Sequence, residues 1–261
     1  MSKRRRFVLT SILLTLGFIG IQFLNDLNRF WVIGGLGVIT ILLFLWSLWG
    51  NIGRNTTLLT LVLPTIFTIG VGVFWFLLPV SIYTRIPIMI FYGIGVYVLC
   101  LTMNIYSVAT NRSIALLRAA RGVGFVLTLV TSFLVFDAVM SLKSAIYYLI
   151  PLVFGVSFPL YLQGFWAVNL DKNFTKELLG ISLISSLVTA EIACALYFWP
   201  VTVVTGSLFL TVTFYVLLGL GQAQIEERLF SSHNQGVPGF GHISVYSHVF
   251  RYTLGRLNLF K

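Results

Sequence analysis

Four polar side chains lie inside otherwise apolar stretches, and they are the residues of this chain that could do chemistry: Glu191, Asp137, Asn104 and Gln163. Glu191 sits in "SSLVTAEIACALYFWP", and no other charged residue occurs from Leu178 to Gln224. About 13 residues into a helix, its carboxyl is roughly 20 Å from the helix start. Ionised and facing lipid, it would cost several kcal/mol, so it is expected to be neutral, to face neighbouring helices or to meet water. We expect it to face the bundle, either as a proton or cation site or as a carboxyl clasping another helix. Asp137 lies six residues before Lys143. An interfacial ion pair or a solvated helix end is the plain expectation there, because helix-end charges can reach the headgroups. Asn104, Gln163 and Gln22 can hydrogen-bond between helices, at ~0.6–2 kcal/mol each. Glu191, Asp137, Asn104 and Gln163 together are the candidate substrate- or ion-binding residues; no residue has the pattern of a catalytic group.

Other chemistries lack their signatures. There is no zinc-protease helix, no phosphate-binding Gly-rich loop with its lysine and no nucleophile elbow. His233, His242 and His248, the only histidines, are spaced by nine and six residues in a Gly-rich tail, which matches no ligand pattern. Neither a metal nor a cofactor is expected. Cys100 and Cys194 both fall in apolar stretches and read as small packing residues.

The elements that must carry these residues follow from composition. Apolar residues make up 58% of the 261, charged residues only 9%, and mean hydropathy is +0.97. A soluble domain would carry about 25% charged residues. Runs of about 20 apolar residues satisfy their backbone as membrane-spanning helices. They do not alternate, as barrel strands must. The expected fold class is therefore an all-α integral membrane protein, a bundle of about eight transmembrane helices. The spans are read at about 7–24, 30–49, 57–79, 87–108, 122–141, 145–168, 178–199 and 201–221. The first resembles a signal peptide but lacks a small-residue cleavage site, so it is read as an uncleaved helix. Residues 1–230 form the expected helical domain. Residues 231–261 read as a cytoplasmic flexible tail whose end, "VFRYTLGRLNLFK", could form a short interfacial helix.

The net charge of +10 does not make nucleic acid the expected partner, because the basic residues fall between apolar spans. The lipid bilayer is the expected surroundings, with another membrane protein as a candidate partner. Placing Lys3 and Arg4–Arg6 in the cytoplasm leaves only Arg29, Arg85 and Lys143 of the 17 Lys and Arg outside. That bias predicts a multi-pass protein with both termini cytoplasmic.

Short recurrences suggest two parallel four-helix repeats. "FVLT" at Phe7 returns at Phe125 and "YVL" at Tyr97 returns at Tyr215, both offset by 118. "LPVSIYT" at Leu78 resembles "WPVTVVT" at Trp199, offset by 121. At that offset Gly70 stands where Glu191 does. Pro79, Pro87 and Pro200 are read as span ends, whereas Pro64, Pro151 and Pro159 fall inside spans, where they favour kinks. Ser182, Ser186, Ala190 and Cys194 recur at helical spacing and would let a neighbouring helix approach closely. Glu191 is about 100° around the helix from that stripe.

The stretches "FWFLLPVSIYTRIP", "NRSIALLRAARGVGFVLTLVTSF" and "YFWPVTVVTGSLFLTVTFYVLLGLGQAQIEERLF" resemble uncharacterised multi-pass membrane proteins of candidate-phylum bacteria, over most of residues 57–230. The resemblance implies an integral protein of the bacterial plasma membrane and brings no catalytic residues. It also implies an apolar continuation beyond Phe230, which this tail lacks. On sequence the first reading is a small permease or transport-associated protein, the alternative a non-catalytic membrane scaffold or assembly partner, and the third a lipid-modifying enzyme. A water-filled cavity reaching Glu191 would favour the first, and a sealed bundle the second. Paired polar groups in a headgroup-level cleft would favour the third.

Overall fold

The computed structural model describes residues 3–21, 26–48, 54–77, 82–109, 116–170 and 175–226. Eight α-helices occupy them, with no strand among the described residues: α1 (Lys3–Ile21), α2 (Asp26–Leu48), α3 (Arg54–Leu77), α4 (Ile82–Ala109), α5 (Leu117–Ser141), α6 (Ile146–Asn169), α7 (Lys176–Phe198) and α8 (Val203–Ile225). Their bounds follow the apolar runs to within a few residues, as they must when each segment satisfies its own backbone. Seven are long and apolar enough to cross a membrane. α1 is the exception, because its 19 residues begin with Lys3, Arg4, Arg5 and Arg6. The chain is thus an all-helical, multi-pass membrane protein. Exposed Leu16, Leu42, Ile94, Val126 and Leu208 suit an outer surface that meets lipid. The expected tail at 231–261, with all three histidines, lies outside the described residues, as do Gln22 and Pro79.

Among the described residues, one proline departs from expectation. Pro64 lies inside α3, Pro151 and Pro159 lie inside α6, and Pro200 sits between α7 and α8. Pro87, expected to mark a span end, instead lies inside α4. Its missing N–H frees the carbonyl of Tyr83 one turn earlier. Tyr83 is 86% exposed, so that carbonyl can find another partner near the helix start.

Packing orders the helices. Among the first four, α1 packs on α2 and α4, α2 on α3 and α4, and α3 on α4. Among the last four, α5 packs on α6 and α8, α6 on α7 and α8, and α7 on α8. The two sets meet where α3 packs on α5 and α6 and where α4 packs on α5. Gly70 lies on this seam, where an added Cβ would come within 2.8 Å of Val135 Cγ2. Large buried rings fill the interior on both sides, with Phe18 against Tyr92 at 4.8 Å and Phe136 against Phe214 at 6.2 Å. The small stripe of α7 packs inward as expected: Ser182, Ser186 and Ala190 are buried.

Candidate functional site

The four candidate residues do not converge. Asp137 is 6% exposed, buried rather than interfacial. Its Oδ1 accepts a hydrogen bond from Ser207 Oγ at 3.1 Å, tying α5 to α8. Lys143, its expected ion-pair partner, is exposed beyond the end of the helix. The sequence distance between the two residues was short, but α8 covers the face on which Asp137 lies.

Gln163 is buried on α6, and Thr128 Oγ1 lies 3.5 Å from its Oε1, at the limit of a hydrogen bond. Thr128 also donates to Gly124 O at 2.8 Å. Thr128 precedes Asp137 by nine residues, so the Gln163 and Asp137 sites are separated by ~13 Å along α5. Asn104 is half-buried on α4, where its backbone carbonyl accepts from Ser107 Oγ at 2.9 Å.

Glu191 corrects the sequence expectation most directly. It does not face the bundle; it is exposed on the outer face of α7. The surrounding outer face is apolar, with Ile184 61% and Leu187 45% exposed. The cause is geometric. α7 packs on α6 and α8 through its small stripe, and a rotation of about 100° from that stripe carries a side chain out of the seam.

Several interhelical bonds were not singled out from sequence. Tyr161 OH and Thr189 Oγ1 are 2.9 Å apart, joining α6 to α7. Thr40 Oγ1 lies 3.2 Å from Thr68 Oγ1, joining α2 to α3, and Tyr92 OH donates to Thr68 Oγ1 at 3.3 Å from α4. Near the end of α6, Arg121 Nε donates to Ala167 O at 3.2 Å and Gln222 Nε2 to Gly164 O at 3.1 Å. Arg121 thereby places a cation at the negative end of that helix. Burial of hydroxyls on small-residue helices is the only signal that pointed toward such bonds, and it does not identify partners.

A small cleft also opens among α1, α2, α3 and α4, lined by Phe18, Ile33 and Trp75, with Arg85 at 5.7 Å over the Trp75 ring. It contains none of the four candidates. Cys100 and Cys194 are free thiols on separate helices. No cluster of three metal-ligating His, Cys, Asp or Glu occurs among the described residues. Some buried polar groups, such as Asp137 with Ser207 and Tyr161 with Thr189, hydrogen-bond from helix to helix, and many others bond a carbonyl of their own helix. Among the described residues, these bonds pair no base with a nucleophile and no acid with a second acid.

A family model, DUF5656, described as a protein of unknown function, matches residues 14–234. It begins within α1 and runs past α8, more of the chain than the stretch 57–230 that carried the resemblance. No curated protein and no solved structure matches the chain.

Proposed function

We propose a function from the premise that this chain belongs to the DUF5656 family: it is a non-catalytic membrane scaffold or assembly partner whose α7 outer face receives a membrane-spanning helix. One observation carries the reading. Glu191 is exposed in an apolar face of α7, seven residues before the helix end at Phe198, a costly place for a carboxyl in contact with lipid alone. A protein neighbour there would cover it and offer a hydrogen-bonding group. The permease reading rested on the prolines of span six and on Glu191, and the outward position of Glu191 removes the second of these supports. Among the described residues, lipid-modifying chemistry has no paired acids to rest on.

The architecture behind this reading is two parallel four-helix repeats, α1–α4 and α5–α8. The packing order within each set is the same. The α2–α3 pair Thr40–Thr68 and the α6–α7 pair Tyr161–Thr189 both span 28 residues and stand at the single offset of 121. Both sets also place a ring pair between their first and last helices, Phe18–Tyr92 and Phe136–Phe214. The setting is the bacterial plasma membrane with both termini cytoplasmic, supported by the Lys and Arg bias. Cysteine labelling at position 143 from the outer side alone would support that orientation, and labelling from the cytoplasmic side alone would reverse it.

The function is tested by a photo-crosslinking amino acid at position 187 in native membranes. Capture of a membrane-spanning polypeptide is expected. Capture of lipid alone would sink the assembly reading.

A further inference from the structure

We propose that the α7 face around Glu191 is covered by the α1 face of a second copy of this chain, docked as α5 docks on α3 within one chain. The inference rests on the assembly reading and on the repeat, and it names the partner.

The two halves supply the reasoning. At the offset of 121, Leu63 and Gly70 of α3 correspond to Ile184 and Glu191 of α7. The α3 pair is buried, Leu63 wholly, because α5 and α6 cover that face. The α7 pair is exposed, Ile184 by 61%. The other side of the seam repeats the contrast at the offset of 118. Leu134 and Ala138 of α5 are buried, whereas their counterparts Leu16 and Gly20 of α1 are exposed. Each half therefore carries both surfaces, and among the described residues only one of each is covered within the chain. The unused donor, α1, and the unused receiver, α7, lie on different helices, so one chain can engage two others head to tail.

Side-chain sizes fit the same pairing. Within the chain, Gly70 leaves room for Val135. At the corresponding positions the large residue is Glu191 and the small one is Gly17, so the bulk passes to the other partner. Gly17 also admits Leu36 of α2, 2.9 Å from where its Cβ would stand, which explains why it has no side chain on that flank.

The internal seam sets the distance to look for. A Cβ at Gly70 would stand 3.7 Å from Leu134 Cβ, within the roughly 3.5–4.5 Å that a disulfide requires. The experiment uses two differently tagged full-length chains in a Cys100→Ser, Cys194→Ser background, co-expressed in native membranes. One carries Glu191→Cys and the other Leu16→Cys, each first shown to be monodisperse in detergent. Oxidation should give a disulfide-linked species bearing both tags. That species should disappear when Ile94→Cys, on the exposed face of α4, replaces Leu16→Cys. In parallel, a photo-crosslinker at position 184, with Glu191 intact, should capture an α1 peptide of the same protein. Linkage only between two Glu191→Cys chains would overturn the head-to-tail docking in favour of α7 against α7. Capture of a different membrane protein alone would overturn the second copy while leaving the assembly reading standing. Capture of lipid alone would overturn both.

Discussion

α3 and α7 are nearly equal in length and apolarity, yet they live in different surroundings. α3 packs on α2, α4, α5 and α6, and most of its surface is buried; α7 packs on α6 and α8, and most of its span is not. The residues follow the surroundings. The covered face of α3 carries Gly70, small enough for Val135 to approach, and the bare face of α7 carries a glutamate. A carboxyl that would be intolerable in the tight α3–α5 seam is accommodated on α7 because no described helix of its own chain packs on that face. The difference teaches that the position of a polar residue in a membrane helix says less than which neighbours that helix has.

The largest effect should come from exchanging the two residues. Gly70→Glu forces a long polar side chain into contact with Val135 and should cost at least ~3 kcal/mol, from overpacking and burial of an unpaired carboxyl. Glu191→Gly should cost only ~1 kcal/mol, the helix-propensity penalty. Thermal unfolding of both variants in one detergent measures this, and equal losses would erase the contrast.

Asp137 is the buried acid against which Glu191 can be set. Asp137→Ala should destabilise the protein by ~1–3 kcal/mol through loss of the Ser207 hydrogen bond and the buried contact. Asp137→Asn should cost less, since its amide oxygen still accepts from Ser207 Oγ. An Asp137→Ala protein as stable as the parent would mean that the α5–α8 contact does not depend on this residue.

The two hydroxyl clasps sharpen the comparison further. Thr68 Oγ1 receives both Thr40 and Tyr92, whereas Thr189 Oγ1 meets Tyr161. Thr68→Val should therefore cost about twice as much as Thr189→Val, with ~0.6 kcal/mol for the single bond. A double-mutant cycle of Tyr161→Phe with Thr189→Val should return a coupling of similar size. The smallest effect on the fold is expected from Glu191→Leu, within ~0.5 kcal/mol of the parent in detergent, as for a surface substitution. Crosslinking from position 184 should weaken in that variant if the carboxyl contributes to the docked state.

Much of the architecture was readable in the residues because lipid imposes a local rule. A segment must close its own hydrogen bonds, so long apolar runs become helices and their ends fall near charges and prolines. Pro87 escaped that reading because a proline near a helix start loses only one bond, and the carbonyl it frees lies beside exposed Tyr83. The candidate site was less legible. Asp137 was placed at an interface by its distance along the chain from Lys143, whereas its partner Ser207 is 70 residues away. Gln163 was read as able to hydrogen-bond between helices, but nothing in its own helix indicates Thr128, which lies across the seam at 3.5 Å.

By itself, then, the sequence determined that the described residues form eight helices, seven of them long and apolar enough to cross a membrane, because those properties depend on each segment's own residues. It also determined that the α7 small stripe packs inward, since small residues at four-residue spacing favour close approach wherever a helix is available. The direction of Glu191 was decided only by the tertiary structure. Its angle from the small stripe was legible, but whether a helix lies at that angle depends on how far the bundle extends. On α3 the next helix is there; on α7 the chain has no further helix to supply among the described residues.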